Sequence, residues 1–385
     1  MPAPTFRRRL STAALGLGFL LTLYGSGLLS PRPAPRYAVT DLGVLPGYAA
    51  SDAAAVNSRG DVVGSATPKR SGGSWASTGG RAYLSTGGTL TDLGTLPGTG
   101  GSSAQDINAQ DEVTGSADFP ASCHAFLYSD GKMHDLGTLP GFHDSTGVGI
   151  NDRGEVAVNA TSSPMQPGPS QGHVFLYSHE RMTDIGLPPG CSEGHALGIN
   201  NAGQIVGDCH ARRIGRTRPF LYDSRTRTMT LLPVPAPYRR GWVNHINDSG
   251  QIIGDVFLSN GNCHAVLWHG NQMTDLGTPP GYSVSIGSGL NNQAEAVGYC
   301  FDEGSVKAFL RDHVGRSNAL GHYLDRDMEH AFVYRGGKIQ DLNDLIPQDS
   351  DWTLESARGI NDRGQIVGQG QHHGQQRAFL LTPIR

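Results

Sequence analysis

Residues Gly359–Gly368 read GINDRGQIVG, and close copies start at Gly149 (GINDRGEVAV), Gly198 (GINNAGQIVG) and His245 (HINDSGQIIG). Looser copies are centred on Val56-Asn57, Ile107-Asn108 and Leu290-Asn291. The Asn recurs at 57, 108, 151, 200, 247, 291 and 361, at intervals of 51, 43, 49, 47, 44 and 70 residues. Asn can hydrogen-bond its own backbone two residues on, and Gly accepts a positive φ. Asn-x-x-Gly between two apolar arms therefore reads as a β-hairpin. Self-similarity at this period marks a repeat architecture, and it decides the fold.

Two other phrases recur in fixed order with the hairpin. One is basic-Ala-Phe-Leu-aromatic, as His124–Tyr128, His173–Tyr177 and His330–Tyr334, with looser copies from Arg81, Arg218, His264, Lys307 and Arg377. Its alternation puts large apolar residues on both faces, as in a sheet stacked between two sheets. The other is Thr-Asp-Leu-Gly, at 40–43, 91–94 and 274–277, with variants at 134–137, 183–186 and 340–343. It reads as a short strand closed by Gly, and is replaced at Met229–Leu232. Hairpin plus two strands makes four short strands per repeat, which is a propeller blade. A β-solenoid would have a shorter period.

The order of the phrases closes the ring. The body opens on an orphan third phrase, Tyr37–Gly43, and ends on an orphan second phrase, Arg377–Leu381. Pairing them completes the last blade and removes two exposed sheet edges. The expected fold is therefore an all-β, closed β-propeller spanning 37–385. Seven hairpins predict seven blades, with an irregular insertion at 311–329. Eight blades, one decayed, is the alternative, because the 70-residue interval holds two copies of the second phrase, at Lys307 and His330.

The cycle of DLGTLPG, GIND-x-GQIVG and HAFLY resembles the HAF family of extracellular repeat proteins. The ending from Asp341 to Pro383, with DLNDLI, Trp352 and RAFLLTP, resembles that family's C-terminus. The likeness covers residues 37–385 and implies export and a repeat fold. The family carries no established reaction, so it implies no catalytic residue.

Composition agrees with many short strands. The 385 residues include 54 Gly and 23 Pro, with 17% charged. That is ample turn chemistry and too little charge for a disordered polymer. Residues 1–30 carry Arg7, Arg8 and Arg9 before an apolar run, which predicts a signal peptide, or a signal anchor if uncleaved. Residues 31–36 form a Pro/Arg linker. Only if that segment stays as an anchor is a membrane partner expected. Beyond residue 30 stand 27 basic and 34 acidic residues, a formal −7, which argues against nucleic acid.

The repeated residues are expected to be scaffold. The basic residue before Ala-Phe should pair with an acid or a carbonyl. Function is expected where the repeat breaks, at the channel mouth and in the variable loops that lead into each blade. Candidates there are His143 and Asp144, and Arg239, Arg240 and Trp242. Two positions before each hairpin Asn the residues are Ala55, Asp106, Gly149, Gly198, His245, Gly289 and Gly359. Asp106 and His245 break this small-residue slot, and Arg358 lies one position earlier in its own repeat. These side chains could reach the channel, or could bond between blades. His143, His195 and His245 could also form a cluster.

Gly-x-Ser-x-Gly occurs as GPSQG at 168–172 and GCSEG at 190–194, but no helical pattern follows either Ser as a nucleophile elbow needs. No His-Glu-x-x-His or EF-hand loop is present, so no cofactor or metal is expected. His372-His373 reads as a turn ahead of a metal site. Of five Cys, Cys191 and Cys209 flank one hairpin and are the candidate disulfide, which export would permit. The favoured function is a non-enzymatic exported propeller that binds an extracellular ligand or cell-surface partner, such as a surface glycan. The alternative is a propeller lyase or hydrolase acting on extracellular carbohydrate.

Overall fold

A computed structural model of the chain describes residues 36–68, 79–162, 172–211, 216–302 and 329–384. The signal segment at 1–30, most of the linker and residues 311–328 of the irregular segment lie outside these. The described residues form seven four-stranded antiparallel sheets, arranged as a β-propeller. The inner strands are Tyr48–Val56, Gly101–Ile107, Asp144–Ile150, Glu193–Ile199, Arg240–Ile246, Val284–Leu290 and Trp352–Ile360, in blades 1 to 7. Each enters its hairpin at the repeated Asn.

Closure is by strand exchange between the chain ends. Tyr37–Asp41 pairs antiparallel with Gln375–Pro383, from Tyr37 opposite Pro383 to Asp41 opposite Phe379. The N-terminal strand is thus the outermost strand of blade 7. Blade 6 is built on the hairpin at Asn291 and the second phrase at His330. The 303–328 stretch falls between its second and third strands.

The core lies between blades. One apolar cluster joins Val63, Ala82, Leu93 and Leu96 of blade 1 to Ala104, Ile107, Val113, Ala117 and Phe126 of blade 2. The aromatic of the second phrase is the recurrent plug: Tyr83, Phe126, Phe175, Phe220, Phe332 and Phe379 are all but fully buried. Burying one such ring contributes about 1.5–3 kcal/mol.

The Gly that ends the hairpin phrase has a steric cause. Each inner strand bulges three residues before its Asn, as between Ala53 and Ala55. The bulge presses an inner-strand carbonyl onto the second strand. A Cβ at Gly64 would stand 1.9 Å from the Asp52 carbonyl, and one at Gly368 1.9 Å from that of Ser356.

Candidate functional site

Each inner strand runs from a lead-in loop to its hairpin, so the channel has two chemically distinct ends. Seven residues at ~3.3 Å each separate them by about 23 Å.

At the hairpin end the seven Asn side chains form a closed ring. The Nδ2 of Asn57 donates to the backbone carbonyl of Asn108 at 3.2 Å, Asn108 to Asn151 at 3.1 Å, and Asn151 to Asn200 at 3.2 Å. Asn200 donates to Asn247 and Asn247 to Asn291, both at 2.9 Å. Asn291 reaches Asn361 at 3.2 Å, and Asn361 returns to Asn57 at 2.9 Å. The circuit closes with seven members and passes directly from blade 6 to blade 7.

Each Asn also builds its own turn. Oδ1 of Asn361 accepts the N–H groups of Arg363 and Gln365, and its second Nδ2 proton goes to the Gln365 side chain. An acid or Gln stands four residues after the Asn in every repeat, from Asp61 to Gln365, and accepts that proton. All seven Asn are buried, at 3–5% exposure. Their hydrogen-bonding capacity is spent on the scaffold, as the repeat implied.

The next residue makes a second, incomplete circuit nearer the solvent. Asp152, Asn201, Asp248, Asn292 and Asp362 alternate acid and amide. The Asn201 N–H donates to Asp248 Oδ1 at 2.9 Å, and its Nδ2 bridges Asp152 at 2.8 Å and Asp248 at 3.2 Å. Asn292 Nδ2 bonds Asp362 at 2.9 Å. Blade 2 joins only through the Ala109 N–H, which donates to Asp152 Oδ1 at 2.9 Å, and blade 1 has Ser58 in this place.

These residues ring a cavity of about 200 Å³, with Asp106 and His245 deeper in its wall. Asp106 is tied between blades: Oδ1 accepts the Ile107 N–H and Oδ2 the Ile150 N–H, both at 2.9 Å. Burial pushes its carboxyl up to about 6, against the pull of those two N–H groups. His245 Nδ1 is buried and has no hydrogen-bond partner among the described residues. Burial holds its imidazole down to about 4, so it is neutral at pH 7.

At the lead-in end, serine makes the joints. Ser102 Oγ donates to the Gly94 carbonyl at 2.6 Å and accepts the Ala82 N–H at 3.1 Å, both on blade 1. Ser51, Ser145 and Ser285 repeat this clasp on the preceding blade. Sequence reasoning missed it, although Ser recurs six residues before the Asn in these four repeats. Blade 4 has Gly194 in that place. A disulfide there joins Cys191 in its lead-in loop to Cys209 on its second strand.

The other sequence candidates divide accordingly. Asp144 accepts the Cys123 N–H of blade 2 at 2.9 Å, and His143 Nδ1 lies 3.2 Å from it. Arg239 and Arg240 are exposed. Trp242 is half-buried, edge-on to Phe257 with centroids 4.6 Å apart. Arg358 lies midway along its strand, half-buried. Burial raises the neighbouring Tyr299 phenol, and the Arg358 charge partly offsets this. Asp106 and His245 thus stand near the hairpin end, about a strand's length from Arg239 at the lead-in end. His143, His195 and His245 stand eight, five and two residues before their Asn, and this offset keeps them at different heights.

The basic residue of the second phrase pairs with the Asp of the third. His124–Asp135, His173–Asp184 and His264–Asp275 lie at 3.0, 3.1 and 3.0 Å, and His330–Asp341 at 2.6 Å. The same Asp caps the strand end, as Asp275 does for the Gly277 N–H at 2.8 Å. His372 bonds Asp41 at 2.9 Å across the closure. Among the described residues no three His, Cys, Asp or Glu side chains are grouped to hold a metal ion.

No protein-family model matches the chain, and no curated protein matches it in sequence. Solved structures do match in fold. An oligogalacturonate lyase in complex with manganese aligns over 92% of this chain and 97% of its own, with a TM-score of 0.56 at 10% identity. An acylaminoacyl peptidase from Pyrococcus horikoshii aligns over 89% and 52%, at 0.53 and 6%. TolB from Acinetobacter baumannii aligns over 88% and 65%, at 0.42 and 11%. The chain thus spans less than two thirds of TolB and about half of the peptidase. At these identities the likeness is one of fold alone.

Proposed function

We propose that this chain is an exported β-propeller that binds a surface glycan through its lead-in end. One observation carries the reading. Seven residues before the ring Asn, at or near the start of each inner strand, stand Ala50, Gly101, Asp144, Glu193, Arg240, Val284 and Leu354, of which Val284 and Leu354 are buried and Arg240 is exposed. One end of the strand repeats in every blade, and the other differs in every blade. Variable groups on a rigid ring are where recognition is built.

Arg239 and Arg240 beside Trp242 supply the chemistry. Arg presents a planar fork of donors for hydroxyl and carboxylate groups, and an aromatic offers a face for a sugar ring. The basic, then apolar N-terminus, the resemblance to the HAF family and the Cys191–Cys209 disulfide support export. A glycan array probed with the purified protein tests the reading. Selective binding that falls in Trp242→Ala is expected. Turnover of a bound polysaccharide, or no binding across the array, would refute it.

A further inference from the structure

We propose that the glycan bound at the lead-in end is an acidic polysaccharide, held by an unneutralised arginine patch on blades 4 and 5. The proposal rests on the glycan reading and narrows it to one ligand class.

The patch comes from a break in the repeat. In six blades an Asp stands opposite the third residue of the second phrase, from Asp92 opposite Tyr83 to Asp41 opposite Phe379. It pairs with the basic residue that opens the phrase, and it does so for arginine as well as histidine: Arg81 lies 3.8 Å from Asp92 and Arg377 4.0 Å from Asp41. In blade 4 the residue opposite Phe220 is Leu231. Pro233 follows where the other blades have Gly or Asn. Arg218, which opens that phrase, therefore has no acid across from it. It is exposed and makes no hydrogen bond or ion pair among the described residues.

Blade 5 adds two more arginines. Its inner strand packs against the Arg216–Asp223 strand of blade 4 and is led by Arg239 and Arg240, both exposed. Packed sheets stand ~10 Å apart, about one Debye length in ~0.1 M salt, so the guanidinium groups share one field. The acids of these two blades at this end do not cancel it. Asp275 is bonded to His264 at 3.0 Å and to the Tyr238 hydroxyl at 2.9 Å. Asp208 and Asp255 are buried, which pushes both carboxyls up, Asp255 to about 7. Glu193, half-buried, is one acid against three arginines.

The chemistry follows from that field. The body beyond residue 30 carries a formal −7, so a local excess of positive charge steers a polyanion to this one sector. The planar guanidinium fork takes a carboxylate or sulfate through two parallel hydrogen bonds. Arginines on neighbouring blades suit a chain whose charges repeat along its length, rather than a single sugar.

Biolayer interferometry of the full chain with alginate, dextran sulfate, neutral dextran and duplex DNA, at low and high ionic strength, tests the assignment. Alginate or dextran sulfate should bind and dextran should not, and the tighter of the two tells carboxylate from sulfate. Binding should weaken as salt rises. Leu231→Asp restores the residue of the other six blades opposite Arg218. It should weaken binding about fivefold without lowering the thermal midpoint. Arg218→Ala should weaken it likewise, and Arg363→Ala, which removes the same charge at the hairpin end, should leave it unchanged. Equal binding of dextran or of duplex DNA, or unchanged affinity in both Leu231→Asp and Arg218→Ala, would overturn the proposal. Binding of dextran alone would overturn it and leave the glycan reading standing, whereas no binding of any polysaccharide would sink both.

Discussion

The two ends of the inner strands are built by opposite rules. At the hairpin end one residue type, Asn, occupies all seven equivalent places and spends its hydrogen bonds on its own turn and on the next blade. At the lead-in end seven different residues stand at the equivalent place, seven positions before the Asn. The contacts there are also unequal: a Ser clasp onto the preceding blade in four repeats, and in blade 4 a disulfide within the blade. The lesson is a division of labour along one strand. The amide ring links every blade at the uniform end, and the other end varies.

Stability measurements can break that division. The largest effect is expected for Asn361→Ala, which opens the ring and orphans the Asn57 carbonyl and the Arg363 and Gln365 N–H groups. Urea denaturation should show a loss of about 4 kcal/mol. Arg240→Ala, at the lead-in end of the blade 5 inner strand, should change stability by less than about 0.5 kcal/mol. Equal losses would dissolve the distinction.

Next in size is the disulfide. Cys191 and Cys209 are 18 residues apart, and replacing both with Ser should cost about 3 kcal/mol. That would make blade 4 the exception, with its lead-in loop fastened firmly to its own second strand. A loss below about 1 kcal/mol would show that this cross-link adds little to the blade.

The third test uses pH. His245 is held down to about 4, below its unfolded value of ~6.5. The unfolded chain therefore binds the proton first, and stability falls as pH drops from 6.5 toward 4. His245→Gly restores the residue of Gly198 and Gly289 and removes this penalty. Its advantage over the parent should be small at pH 8 and grow to about 3 kcal/mol near pH 4. A pH-independent difference would mean that the imidazole is solvated in the cavity.

The closure at Tyr37–Asp41, the seven hairpins and the pairing of basic residue with Asp were legible in the sequence, because each is a repeated phrase. The positions of Asp106 and His245 were legible as breaks in a small-residue slot. The amide ring was not, because Asn57 and Asn361 meet across 304 residues and only the closed geometry shows it. Nor was the acid and amide circuit, since Asp152 and Asn201 look like ordinary turn residues until neighbouring blades bring them within 2.8 Å. The Ser clasp left a periodic trace, but its partner atoms are backbone.

The smallest effect concerns turn chemistry. The left-handed place in the hairpin is Gly in five blades, such as Gly364 at φ 71°, but Asp111 and Ala294 fill it at φ 65° and 60°. A non-Gly residue there costs about 1 kcal/mol. Ala294→Gly should raise stability by about that amount in a thermal or urea melt. No gain would mean that the blade 6 hairpin relaxes its backbone.

The division of labour is tested most directly by the double variant Arg239→Ala/Arg240→Ala, with glycan-array signal and urea midpoint read on the same preparation. The account predicts that the signal collapses while the midpoint stays within error of the parent. Retained binding, or binding lost only together with stability, would contradict it.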